Sequence, residues 1–333
     1  MENEQQREQP LVSFQVITDT HVRDQADHIY NRHLEKALAD IASYAKGSSG
    51  IMHVGDVTDR GLPEEYKELE RILGLYRDHL PKIRYTVGNH DIGAILWQDP
   101  PINLTTMTPH EVGEVLGHLE HAVEKVNGIP GSLITTEGIW QKRLNDFTAI
   151  TGMKGSYHDH WIEGYHYIFL GSEQPHPKDC DMSAEQLDWL EATLSEQASP
   201  DRPIFVFLHQ PLMDTVAGSM KDQGWYGVNQ DAEVKDILSR YPQTILFSGH
   251  THWQLEAPRT MYEGGGHLPT MFNAASVAYL WTDEDEHLEG SQGLQVDVYA
   301  NRVLVRGRDY VTGAWIEGAD YTIPYPVMVQ VDM

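Results

Sequence analysis

Ile245-Leu246-Phe247-Ser248-Gly249-His250-Thr251-His252 is an apolar run that stops at a glycine and hands over to two histidines two residues apart. Short apolar, β-branched or aromatic runs bounded by Gly, Asp or Pro read as buried strands. Four more runs end in the same manner. Phe14-Gln15-Val16-Ile17-Thr18 leads to Asp19-Thr20-His21, and Gly50-Ile51-Met52-His53-Val54 to Gly55-Asp56-Val57-Thr58-Asp59. Tyr85-Thr86-Val87 leads to Gly88-Asn89-His90-Asp91, and Ile204-Phe205-Val206-Phe207-Leu208 to His209-Gln210-Pro211. In open α/β sheets, ligands gather beyond the carboxyl ends of the strands. Five such ends carrying Asp, Asn and His imply one shared site, and its donor chemistry is that of a metal centre.

Outward from these ends, the chain alternates strand and helix. Leu34, Ala37, Leu38, Ile41 and Ala45 fall at helical spacing between the first two strands. Tyr66, Leu69, Leu73, Tyr76 and Leu80 do so between the second and third. This rhythm predicts βαβ units with parallel pairing. It breaks from Ile92 to about Tyr157, where helical pieces (Val112, Val115, Leu116 and Leu119) alternate with Pro- and Gly-containing loops. A long connection directly after a ligand cluster is usually functional, so residues 92–157 are expected to form a cap-like insertion over the site. A strand at Tyr165–Gly171 follows, then a helix opened by the capping pattern Ser183-Ala184-Glu185-Gln186, the His209 strand, a helix near Ala232–Tyr241 and the His250 strand. Short strands without helices come next: Thr270–Ala275, Gly293–Tyr299, Arg302–Arg308 and Tyr321–Ile323. Ala300-Asn301 reads as a tight hairpin turn. The expected organisation is a single domain over 10–333, with a C-terminal β extension over 282–333 that extends a sheet or mediates contacts in a homo-oligomer.

The 333 residues carry 24 Lys+Arg against 50 Asp+Glu, a formal net charge of −26. That balance argues against a nucleic acid polymer or an anionic membrane as partner. One cysteine, Cys180, leaves no intrachain disulfide to form and fits a reducing compartment. The polar opening, and the lack of any apolar run of the ~20 residues that a membrane span needs, make a cytoplasmic location the expectation.

Residues i and i+2 of a strand share a face about 6.6 Å apart. Asp19 and His21 can therefore reach one ion together, and His250 and His252 can straddle two ions about 3.5–4 Å apart. Asp56, with two carboxylate oxygens, is the natural bridge. Asn89 offers an amide oxygen and His209 another imidazole. Nitrogen and oxygen donors without thiolates suit two divalent ions of Mn or Fe, with Zn also compatible, better than Ca or Mg.

Asp19-x-His21, Gly55-Asp56, Gly88-Asn89-His90-Asp91, His209 and Gly249-His250-x-His252 together resemble the calcineurin-like metallophosphoesterases, with all five family motifs present in order. The resemblance implies an α/β fold, a four-layer α/β/β/α sandwich of two mixed sheets with a binuclear metal site at the strand ends. It also implies that Asp19, His21, Asp56 and His252 hold one ion, and Asp56, Asn89, His209 and His250 the other. A metal-bridging hydroxide would attack phosphorus in line. His90 would protonate or hydrogen-bond the leaving oxygen, oriented by Asp59 or Asp91.

The GNHD form of the third motif and His209-Gln210-Pro211 look most like the phosphodiesterase branch, which includes class III cyclic-nucleotide phosphodiesterases. A small-molecule or nucleotide phosphodiester is thus the expected substrate. The alternatives are a phosphomonoesterase, a nucleoside-diphosphate-linked pyrophosphohydrolase and, from another class, a non-catalytic scaffold; no ligand is missing, which counts against the last. A monoester must be bound with two charges. The segment after Asp91 is short of basic residues (Lys125, Lys142 and Arg143 before Lys154), which favours the diester.

Other conspicuous residues have plainer readings. Arg60 resembles the phosphate-contacting arginine of serine/threonine protein phosphatases, but the third motif departs from theirs and a structural ion pair is the simpler role. His53 reads as a hydrogen-bonded core histidine. His158-Asp159-His160 matches no family motif and reads as a loop. Trp225, Tyr226 and Trp253 could stack on a substrate ring, although core packing explains them as well.

Overall fold

The structure is a computed structural model, and it describes residues 8–92, 136–173, 178–224 and 227–327, with the side chains of 136–140 excluded. The helical pieces expected around Val112–Leu119, and Trp225 and Tyr226, lie outside the described residues. Two six-stranded mixed sheets carry the fold. The first contains β1 (Val12–Ile17), β2 (Ile51–Val54), β3 (Ile83–Thr86), β12 (Gln292–Val298), β13 (Arg302–Asp309) and β14 (Ala314–Pro324), in the order β14-β13-β12-β1-β2-β3. Here β1, β2 and β3 are parallel, as the strand–helix rhythm predicts, and β12–β14 pair antiparallel onto β1. The C-terminal stretch therefore extends this sheet. The second contains β4 (His158–Ile162), β5 (Tyr165–Leu170), β6 (Ile204–Leu208), β7 (Thr244–Ser248), β8 (Met261–Tyr262) and β9 (Thr270–Asn273), in the order β4-β5-β6-β7-β9-β8. A small hairpin joins β10 (Leu280–Trp281) to β11 (His287–Leu288).

Strand alternation explains the layers. In β6, Phe205 and Phe207 face the first sheet, where they meet Phe14 at ring separations of 4.9 and 6.3 Å. Ile204, Val206 and Leu208 face the other way, onto α4 (Ala184–Ser195) and α5 (Asp231–Ser239). The first sheet is covered outside by α1 (Ile29–Tyr44), α2 (Pro63–Tyr76) and α3 (Thr136–Thr151), whose Leu34, Leu38, Leu69 and Phe147 pack with Ile17 and Ile51. The result is the expected four-layer sandwich. The Ser183 hydroxyl caps α4 by accepting from the Gln186 amide at 3.1 Å, as the capping pattern predicts. α3, the described part of the segment read as a cap, belongs to the helix layer: Phe147 is fully buried and Arg143 donates to the Gly61 carbonyl at 2.8 Å. Among the described residues, no helix is long and apolar enough to cross a membrane.

The expectation that fails is the loop at His158–Trp161. These residues form β4, paired antiparallel with β5. Glu163 and Gly164, both with positive φ, make the two-residue turn between them. Polar residues alternate poorly with apolar ones on this edge strand, so period-two reading cannot see it.

Candidate metal centre

The ends of β1, β2, β3, β6 and β7 meet at one rim of the sandwich, and the chain leaves them in unusual conformations. Asp19, His21, Asp56, His250 and His252 all have φ between 41 and 70°. Non-glycine residues in the left-handed region cost of order 1–3 kcal/mol each and cluster at functional sites. Cross-braces hold them there. The Asp19 amide donates to the Gly55 carbonyl at 3.0 Å, His21 to Asp56 at 3.1 Å and Gly249 to His209 at 2.9 Å. From the far side, the Ser276 hydroxyl and the Ala278 amide both donate to the Asp19 carbonyl at 3.0 Å. Two glycines make the convergence sterically feasible. A Cβ at Gly88 would lie 2.1 Å from Asp56 Oδ1, and one at Gly249 2.4 Å from Asp19 Oδ2.

The side chains form two linked donor groups, Asp19–His21–His252 and Asp56–His209–His250, all buried. Asp19 Oδ1 faces His252 Nε2 at 2.9 Å, His21 Nε2 at 3.7 Å and His209 Nε2 at 4.0 Å. Asp56 Oδ2 faces His209 Nε2 at 3.1 Å and His21 Nε2 at 3.8 Å, so Asp56 belongs to both groups. His209 Nδ1–H donates to the Val54 carbonyl at 2.7 Å. That bond commits Nδ1, so Nε2 is the nitrogen aimed inward and the one that a metal ion would take once its proton leaves. Asn89 is buried beside the second group, its Oδ1 3.5 Å from the Gln210 amide nitrogen.

Charge is what this cluster demands. Burial works to raise the carboxyls of Asp19 and Asp56, but His252 and His209 beside Asp19, and His209 and His90 beside Asp56, hold both well below the usual range. Burial likewise opposes charge on the imidazoles, yet Asp19 and Asp59 lift His21 to about 10, and Asp56 and Asp19 lift His209 to about 9. Asp19 Oδ1 and His209 Nε2 are fully enclosed without a well-directed hydrogen bond. Enclosed lone pairs of carboxylate and imidazole converging on one another are satisfied by cations at the centre. The site therefore fits divalent metal ions: Asp19, His21, Asp56, His209, His250 and His252 are brought together there, and Asn89 lies on the adjoining loop against Gln210.

Around this centre the expected catalytic residues sort themselves differently. The His90 ring lies perpendicular to His21, 4.6 Å between centroids. Its Nδ1–H donates to the backbone carbonyl of Asp59 at 2.8 Å, so neither carboxylate expected to orient it is bonded to the ring. The Asp59 carboxylate instead pairs with Arg23 Nε at 3.2 Å, Arg60 Nε at 3.3 Å and His21 Nδ1 at 3.5 Å. Asp91 is buried and ties two loops together, accepting from the Thr58 amide at 2.9 Å and the Gly88 amide at 3.0 Å. Burial, and then Asp56, push its carboxyl up to about 7. Tyr279 escapes sequence reading: its ring lies tilted 4.3 Å from His252 and stacks 5.3 Å from Tyr30, brought there by a loop with no motif of its own.

Of the remaining candidates, His53 is a neutral core histidine, held at about 3 by burial and donating from Nε2 to the Thr20 hydroxyl at 3.0 Å. Trp253 is buried and donates to Asp283 at 2.7 Å. Cys180 is fully enclosed, and burial pushes its thiol up.

Residues 13–254 match the family model described as calcineurin-like phosphoesterase. The chain is 23% identical over 321 residues, 93% of its own length and 85% of the relative's, to a "Probable cyclic nucleotide phosphodiesterase" of Rhodococcus erythropolis. It is 23% identical over 242 residues, 71% of this chain and 69% of the relative, to the "Glycerophosphodiester phosphodiesterase GpdQ" of Enterobacter lignolyticus. The fold resembles that of purple acid phosphatase PPD1 from yellow lupin, with a TM-score of 0.58 and 12% identity. That match covers 94% of this chain and 53% of the phosphatase, so the chain spans about half the plant enzyme's length.

Proposed function

This chain belongs to the calcineurin-like phosphoesterase family, and from that premise we propose that it is a metal-dependent phosphodiesterase acting on a small phosphodiester, nucleotides included. Asp19, His21, Asp56 and His252 would hold one divalent ion, and Asp56, Asn89, His209 and His250 the other; Mn or Fe suits these donors, with Zn compatible. Such ions supply Lewis acidity and a water-derived nucleophile at neutral pH. The single observation that carries the reading is the sharing of Asp56 between two buried donor groups. Ions held by the two groups would supply the positive charge that binds a phosphoryl group.

His90 is the proposed acid at the leaving oxygen. Its Nδ1–H is committed to a backbone carbonyl, an acceptor only, so Nε2 carries a proton when the ring is cationic and can release it. Asp59 positions the ring through its carbonyl and its carboxylate anchors Arg23 and Arg60. Asp91 holds the Thr58 and Gly88 loops that set the ring's place. Preference for a diester is supported by the engagement of both nearby guanidinium groups with Asp59. A phosphomonoester dianion calls for cations directed at it, whereas a diester carries one charge. The printed names of the Rhodococcus and Enterobacter relatives support the same branch.

Hydrolysis of bis-p-nitrophenyl phosphate compared with p-nitrophenyl phosphate, with Mn²⁺ or with EDTA, tests the reading. The expected result is metal-dependent activity favouring the diester. Asp56→Asn should remove it, and His90→Ala should lower kcat by about 10²–10⁴-fold, more for alkyl than for nitrophenyl leaving groups. Higher kcat/KM on the monoester would replace the phosphodiesterase reading with a phosphatase. A protein holding no metal and cleaving neither substrate would be a scaffold.

A further inference from the structure

Away from the metal centre, the edge strands β3 and β4 of the two sheets frame a cleft of about 360 Å³. Lys82, Arg84 and Lys154 line it. In a chain of net charge −26, three cations around one cleft run against the prevailing surface. None of them makes an ion pair among the described residues. Among the described lining residues the one carboxylate, Asp159, is taken up by His166 Nε2 at 2.8 Å.

Arg84 is held in place without being satisfied. Its Nε and Nη1 are enclosed and have no hydrogen-bond partner, and the guanidinium lies against Gly50, where a Cβ would come within 2.9 Å of Nη1. The adjacent histidines are ordered by a proton chain. His158 Nε2–H donates to the Tyr85 carbonyl at 3.0 Å, so its Nδ1 accepts from His160 Nε2–H at 3.1 Å. Burial, then His158, Arg84 and Lys82, keep His160 at about 4; the basic groups are thus close enough to act on that ring. Tyr157 and Trp189, 4.9 Å apart, form an aromatic flank. The cleft falls within the about 300–1,000 Å³ range of small-molecule sites. Unpaired guanidinium and ammonium groups on one wall are the donors that phosphate oxygens take.

We propose that this cleft is a second, non-catalytic site for a small phosphorylated molecule, its phosphate held by Arg84, Lys82 and Lys154 and its planar part set against Tyr157 and Trp189. The proposal does not depend on which phosphoester the metal centre hydrolyses.

The test titrates Zn²⁺-loaded protein with 5′-AMP and, separately, with inorganic phosphate, followed by histidine side-chain NMR and calorimetry. Saturable shifts at His158 and His160 on adding AMP are expected. Arg84→Gln with Lys154→Gln should weaken that binding by about tenfold or more, leaving bis-p-nitrophenyl phosphate hydrolysis unchanged. Lys82→Gln with Lys154→Gln, both exposed positions, serves the same purpose should the Arg84 variant lose its fold by circular dichroism. Asp56→Asn should leave the His158 and His160 shifts intact. Absence of saturable shifts at these rings, shifts indifferent to the cationic substitutions, or loss of the shifts in Asp56→Asn would each overturn the site. Equal affinity for AMP and bare phosphate would overturn the part assigned to the aromatic flank.

Discussion

Asp56 is where the two donor groups converge, and the histidines around it carry charge that a cation would replace. His21 and His209, lifted to about 10 and about 9 by their carboxylate neighbours against the effect of burial, keep their protons at neutral pH. A metal ion must displace those protons, so its affinity should rise with pH up to about 10 and each binding event should release protons. Calorimetry in buffers of different ionisation enthalpy reads that release directly; a proton count of zero would mean that the imidazoles enter neutral. Glu65 offers a separate pH effect. Burial, then Asp59, raise its carboxyl to about 8, while its Oε2 accepts from the Arg60 and Leu62 amides at 2.9 and 3.1 Å. The folded value lies above the unfolded one. Its contribution to stability is therefore complete below the ordinary carboxyl range and is lost as pH rises through about 8. Glu65→Gln keeps an acceptor oxygen and removes the titration. Its Tm relative to wild type should climb between acidic and mildly alkaline pH, and a constant difference across that span would contradict the assignment.

At the level of elements, strand ends do the positioning, and glycine decides how closely they approach. Gly88→Ala would drive a methyl group into Asp56 Oδ1, which is bonded to the His90 amide at 2.9 Å. The loop and the carboxylate must then separate. Metal affinity is expected to fall by about 10–100-fold, as it does when a ligand's support is removed, with little loss of helix or strand content; equilibrium dialysis beside circular dichroism measures both. β1, β2, β6 and β7 were legible because buried strands show continuous apolar runs. β4 was not, because an edge strand made of His, Asp and Trp has neither run nor alternation, and only its pairing to β5 makes it a strand. The capping bond at Ser183 was legible since capping is local, complete within four residues.

Across the whole molecule, the centre couples distant segments of the chain, with Asp19 Oδ1 and His252 Nε2 2.9 Å apart. Ions that bind this assembled set but not the unfolded chain stabilise by RT ln(1 + [L]/Kd), about 2.7 kcal/mol at a hundredfold excess over Kd. EDTA should lower Tm by several degrees, and excess Mn²⁺ should restore it; a Tm indifferent to both would place the ions outside the folded core. The net charge of −26 acts against approach of anionic substrates, so the positive potential that attracts them must be local to the ion sites.

That Asp19, His21, Asp56, His209, His250 and His252 share one site was determined by the sequence itself, because each motif is a strand end followed by its donor within a few residues. The parallel strand–helix units followed from the same local periodicities, and the layered sandwich from the family resemblance those motifs carry. What the tertiary structure alone decided is how those donors face one another: which nitrogen of His209 turns inward, and that a backbone carbonyl rather than a carboxylate holds His90. It also decided that Asp91 is a loop tie, that Tyr279 flanks the site, and that three cations scattered over Lys82–Lys154 share a cleft. Sequence spacing fixes the face of an element, whereas these relations depend on backbone atoms and long-range packing that no short window contains.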